Sequence, residues 1–138
     1  LERQAVRIGG RERPLWFDFQ AARNHGARSL GDAFMASVNL GSVRRAGEVR
    51  LLYQFALKDA NAMISQFTDD DLGTGSGVNI AVHAARVDIG LTRFLQWQNL
   101  VFFQRQRRAS NPDELFFVPL GRGANQTTRF LSQLAFTF

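Results

Sequence analysis

The chain has 138 residues and a formal net charge of +5, from 17 Lys and Arg against 12 Asp and Glu. It contains no Cys, which excludes disulfides and thiolate chemistry. No apolar run reaches the roughly eighteen residues of a membrane helix, but barrel strands are short and only half apolar, so a membrane barrel stays open.

Thirteen Phe stand against one Tyr, and Lys58 is the single Lys beside sixteen Arg. The arginines are spread along the chain instead of filling one helix or tail, so nucleic acid is not the expected partner. Arg grips phosphate and carboxylate in confined polar sites, which makes a basic pore lining a serious rival to a nucleic-acid patch. No targeting segment is visible at the start of the sequence.

In chain order, Glu2 to Ile8 reads as a strand, and Gly9-Gly10-Arg11-Glu12 as a tight turn. Pro14 to Arg23 is a strand with Leu15, Phe17 and Phe19 on one side and Trp16, Asp18 and Gln20 on the other. Asn24 to Asp32 is a polar loop. The strand Ala33 to Gly41 follows, then a basic turn from Ser42 to Gly47. Glu48 to Lys58 has the cleanest alternation, with Val49, Leu51, Tyr53 and Phe55 against Arg50, Gln54 and Lys58; Leu52 alone breaks it.

At Asp59 the period changes. Asp59 can cap a short helix to Phe67, followed by a long loop with Asp69-Asp70-Asp71 and a Gly-rich run to Gly77. Alternation resumes with Val78, Ile80, Val82 and Ala84 as the apolar row and Asn79 and His83 on the polar one. It slips at Val87 and Ile89, which predicts a bulge near Arg86. Gly90 to Arg93 is a turn, Phe94 to Arg105 a strand, and Gln106 to Gln126 a long loop. The last strand places Phe130, Leu134, Phe136 and Phe138 on an aromatic face, against Arg129 and Gln133.

The expectation is all-β: about seven up-and-down antiparallel strands, forming the C-terminal part of a transmembrane β-barrel. Connections alternate short and long, as periplasmic turns and external loops do, and one external loop carries the short helix. Seven strands fall below the eight of the smallest such barrels, so further strands are expected. The pore-lining candidates are Asp18, Gln20, Arg50, Gln54, Lys58, Asn79, His83, Arg129 and Gln133. The membrane-facing candidates are Leu15, Phe17, Phe19, Val49, Leu51, Tyr53, Phe55, Phe130, Leu134, Phe136 and Phe138, with Phe17, Tyr53 or Leu134 expected near mid-membrane.

The order of elements resembles a porin family of bacterial outer-membrane proteins with a large single-chain barrel. The matching pieces lie between Gly9 and Phe138. They are Pro14-Leu15 leading to Arg23-Asn24, Asn39-Leu40-Gly41, the strand from Gly47 to Phe55, Lys58-Asp59-Ala60-Asn61-Ala62, and Phe67-Thr68-Asp69-Asp70-Asp71-Leu72. A Gly-His pair that the family carries at the next strand is replaced by Gly77-Val78. The resemblance implies passive diffusion of small hydrophilic solutes or ions through a water-filled pore in the outer membrane, with no catalytic residues and no cofactor.

Partners on this reading are outer-membrane lipid, the solutes, and the barrel assembly machinery acting on the C-terminal strand; a homo-oligomer is compatible with it. The rival is a soluble β-sheet binding domain for a ligand or protein. Asp69, Asp70 and Asp71 lack the alternating ligands and closing Glu of a calcium loop, so no metal is assigned. His25 and His83 have no zinc-like spacing.

Overall fold

A computed structural model describes residues 4–62, 79–107 and 126–136. Seven strands form one sheet in the order β1-β2-β3-β4-β5-β6-β7, every neighbouring pair antiparallel. They are β1 (Gln4–Ile8), β2 (Arg11–Arg23), β3 (Asp32–Gly41), β4 (Val49–Lys58), β5 (Ile80–Gly90), β6 (Leu95–Gln106) and β7 (Gln126–Phe136). β1 and β7 do not pair, so the sheet is open at both edges. No helix occurs among the described residues.

The strands are long. From β2 to β7 they run 10 to 13 residues, where strands of ordinary globular proteins run about five or six. Turn chemistry sets the hairpins at one end. Gly9 and Gly10 both have positive φ, 58° and 77°, the geometry that a two-residue hairpin turn with the right twist requires. The β3–β4 turn folds back on the next hairpin, where the Gly47 amide donates to Gly90 O at 2.8 Å and the Gly90 amide donates to Glu48 O at 2.9 Å.

A Cβ at Gly90 would collide with the backbone carbonyl of Arg45. Gly90→Ala is therefore expected to destabilise by about 1–3 kcal/mol, as overpacking against backbone does. Urea unfolding of the refolded protein, compared with the unsubstituted chain, would measure it.

Register divides the strands into two faces. One row runs Phe17, Val38, Tyr53, Ala85, Val101 and Phe130 across six strands; its neighbour runs Phe19, Ala36, Phe55, His83, Phe103 and Thr128. This is the apolar face. In β4 it is free of charge from Val49 to Leu57, about 26 Å along the strand. Charged side chains on this face stand at its two ends, Arg11 and Arg13 beside the short turns and Arg23, Asp32 and Arg105 beside the long loops.

The large side chains of the apolar face are open to the surroundings: Phe19 is 69% exposed, Phe130 66%, Phe136 64% and Phe17 62%. A buried apolar cluster lies instead on the opposite face, where Ala56, Ile80, Val82, Ala84 and Phe102 pack with Met35 and Leu100. The sheet thus leaves its larger apolar surface uncovered.

Several expectations change. β5 pairs with β4 and β6 in unbroken register, so there is no bulge at Arg86. Its phase is the reverse of the one expected. Ile80, Val82 and Ala84 belong to the polar face, and His83 stands on the apolar face between Phe55 and Phe103 instead of on the expected polar face. Asn79 precedes the strand, buried and at φ 55°, and is not on a strand face. Leu134 pairs with Trp97 close to the short turns, so the middle of the face belongs to Phe130 and Val101.

Asp59 to Ala62 form a hydrogen-bonded turn, not the start of a helix. The remainder of that expected helix, the acidic run Asp69, Asp70 and Asp71, and the terminal Phe138 lie outside the described residues.

Candidate functional site: the polar face

Asp18, Gln20, Arg50, Gln54, Lys58, Arg129 and Gln133 fall on one face, as alternation within β2, β4 and β7 predicts. Pairing then brings residues from distant parts of the chain level with one another. Arg50, Asp88, Gln98 and Gln133 form one row, and Asp18, Ser37, Gln54, Ala84, Phe102 and Arg129 another.

The dominant feature is an ionic group that the sequence reading missed. Asp88 is fully buried and lies between two guanidinium groups. Arg50 Nε donates to Asp88 Oδ2 at 2.7 Å, its Nη2 also donates to that oxygen, and Arg86 Nε donates to Oδ1 at 2.6 Å. The arginine side chains keep 31% and 26% of their exposure. One carboxylate therefore fixes two partly exposed cations, and the group carries a net positive charge. Such forks accept a carboxylate or phosphate through paired hydrogen bonds.

Beside it, Gln133 Nε2 donates to Gln98 Oε1 at 2.8 Å. Ser37 Oγ and Asn39 Nδ2 both donate to Asp18 Oδ2, at 3.3 and 3.5 Å. A hollow of about 520 Å³ includes Gln20, Gln54, Lys58 and Arg86 in its lining, with Met35 and Phe102. The polar face is thus mixed: cations and amides share it with the buried apolar cluster. Among its described strand residues Arg7, Arg50, Lys58, Arg86 and Arg129 face the acids Glu12, Asp18 and Asp88.

The ends of the long loops are tied together. Asp59 is buried; its Oδ2 accepts from the Asp32 amide at 3.3 Å, and its Oδ1 pairs with Arg107 Nη1 at 2.8 Å. Asn24 Nδ2 donates to Asn61 O at 2.8 Å, and Asn61 Nδ2 to Ser29 O at 3.1 Å. Asp59 therefore joins three connections, a role in place of the helix cap expected from its position.

On the apolar face, polar side chains bond to one another. Tyr53 OH and His83 Nδ1 are 2.6 Å apart. Trp97 Nε1 donates to Ser132 Oγ at 2.9 Å, and Ser132 Oγ donates to Asn99 Oδ1 at 3.0 Å. Rings also line up across the sheet, Phe19 to Phe34 at 4.9 Å and Phe55 to His83 at 4.7 Å between centroids.

In the β3–β4 turn, the amides of Arg44 and Arg45 donate to Glu48 Oε2 at 2.7 and 3.2 Å. The Arg44 amide, helped by that of Arg45 and by the charges of Arg45 and Arg13, holds the Glu48 carboxyl below its ordinary range against a smaller opposing effect of burial. A lowered pKa contributes stability above the ordinary carboxylate pKa, and that contribution disappears as pH falls through the lowered value. Glu48→Gln is expected to make the acid limb of the pH–stability curve shallower and to leave the neutral-to-alkaline limb unchanged. Equilibrium unfolding from about pH 9 down to about pH 3 reads both.

No group of three His, Cys, Asp or Glu side chains that could hold a metal occurs among the described residues. Comparisons with family models, with curated proteins and with solved structures give no match.

Proposed function

We propose that this chain is part of an outer-membrane β-barrel porin, through which small hydrophilic solutes diffuse passively, with a preference for anions. The observation that carries the reading is the uncharged, exposed apolar face spanning six long strands, ended on both sides by charged residues. Its length along β4 corresponds to about 20 Å of membrane normal at the usual strand tilt, close to the apolar band of such barrels. Lipid would cover this face, with no cost for leaving the phenylalanines outside a core.

The open edges of β1 and β7 fit a sheet continued by further strands, since an uncovered edge is an aggregation hazard that barrels remove by closure. The polar face then looks into the lumen. Arg50 and Arg86, locked in place by Asp88, and Lys58 lower the energy of a passing anion where solvent screening is incomplete. The hydrogen-bonded amides offer solutes donors and acceptors that replace water.

Single-channel recording of the full-length protein in a planar bilayer with a KCl gradient tests this. Discrete steps with a reversal potential favouring chloride are expected. Steps favouring potassium would remove the anion preference, and a folded protein that gives no steps would remove the pore.

A further inference from the structure

The short-turn end of the sheet carries an arginine collar. Three successive hairpins meet there. β1–β2 presents Arg11 and Arg13 on the apolar face, the β3–β4 turn presents Arg44 and Arg45, and the β5–β6 turn presents Arg93. The backbone bonds between Gly47, Glu48 and Gly90 hold the last two hairpins side by side. All five arginines are at least partly exposed, and none forms an ion pair among the described residues.

The collar is interleaved with exposed apolar groups. Leu91, Phe94 and Trp97 are 43%, 50% and 42% exposed, and the Arg93 guanidinium lies 4.3 Å from the centroid of the Phe94 ring. Cations next to outward aromatic residues, at the edge of an uncharged belt, are the pattern of a membrane headgroup region. Arg can grip each phosphate with two parallel hydrogen bonds.

Resting on the membrane reading above, we propose that this collar binds the phosphate groups of anionic phospholipid in the leaflet next to the short turns. Acyl chains of the same lipids lie along the apolar face above Leu15, Leu40 and Leu51. The collar would fix the depth of the sheet at that leaflet.

The test is a titration of full-length protein in non-ionic detergent with phosphatidylglycerol and with phosphatidylcholine of the same acyl chains, the lipids carrying a fluorescent tail. Phosphatidylglycerol is expected to bind more tightly, and each arginine among Arg13→Gln, Arg44→Gln and Arg93→Gln to weaken it about fivefold. Arg28→Gln makes the same charge change in the loop between β2 and β3, at the opposite end, and is expected to leave binding unchanged. Equal affinity for the two lipids, or an equal loss in Arg28→Gln, would overturn the collar. So would full competition by inorganic phosphate at the concentration of the lipid. A chain that stays folded and monodisperse without detergent would instead remove the membrane reading itself, and that result is visible before any lipid is added.

Discussion

Phe130→Arg is expected to cost about 2–4 kcal/mol of folding stability in lipid vesicles, the range for a charge on the lipid face at mid-depth. Phe130 occupies the central row of the apolar face, beside Val101, and is 66% exposed. Exposure makes the sign of the effect informative. On a sheet surrounded by water, an Arg at so open a position would change stability by no more than about 0.5 kcal/mol. In lipid the same side chain must be carried to the interface or solvated by a membrane defect.

Leu134→Arg supplies the depth control. It pairs with Trp97 near the short turns, so it is expected to cost less than Phe130→Arg. Urea titrations of the two variants in phosphatidylcholine vesicles give the comparison. Equal and negligible costs would mean that the face does not meet lipid.

Asp88→Ala is expected to be the most damaging change on the polar face. It removes a fully buried carboxylate and leaves Arg50 and Arg86 close together without their shared counter-charge. Breaking one side of a buried ion pair costs about 3–5 kcal/mol. The arginines keep part of their contact with water, which points to the lower end of that range. Arg86→Gln leaves Asp88 with the Arg50 bonds and is expected to cost less.

The substitution also separates structure from transport. If the variant is refolded at a temperature where it remains native, its pore carries one more net positive charge. Its reversal potential should then move further toward chloride. Unchanged stability in Asp88→Ala would show that the two arginines find other acceptors, and the fixed cationic pair would lose its basis.

Much of the architecture was legible in the residues. Alternation in β2, β4 and β7 identified the apolar faces, because each of those strands has one row rich in large apolar side chains and an opposite row that holds its charged and amide side chains between Phe17 and Phe19, Val49 and Phe55, or Phe130 and Leu134. The hairpins were legible from Gly9-Gly10 and from the short basic turn before Glu48.

β5 was not legible, for a physical reason. Its first half is apolar on both sides: Ile80, Val82 and Ala84 fill the cluster on the polar face, while Ala81 and Ala85 are small and His83 joins the aromatic row. Periodicity registers hydrophobicity and does not distinguish a residue packed under the polar face from one on the open face. The strand therefore seemed to slip at Val87, although it runs straight. Arg86 and Asp88 lie on the polar face, and the pairing of β4 with β5 sets Asp88 opposite Arg50. Arg50 and Asp88 are 38 residues apart, so only register brings them together.

The measurement that tests the two-faced sheet most directly uses its two tryptophans. Trp16 lies in the row of Asn39, on the polar face, and Trp97 lies on the apolar face opposite Leu134. Full-length Trp16→Phe and Trp97→Phe variants, each with any other tryptophan outside this chain replaced, would be reconstituted in vesicles with lipids brominated on their acyl chains. The account predicts that emission from Trp97 is quenched by the bromines, most strongly when they are placed near the headgroup. It predicts that Trp16 is spared by the lipid and quenched by aqueous acrylamide. Quenching of Trp16 by brominated lipid with Trp97 spared would contradict the assignment of faces, and quenching of neither by lipid would contradict membrane insertion.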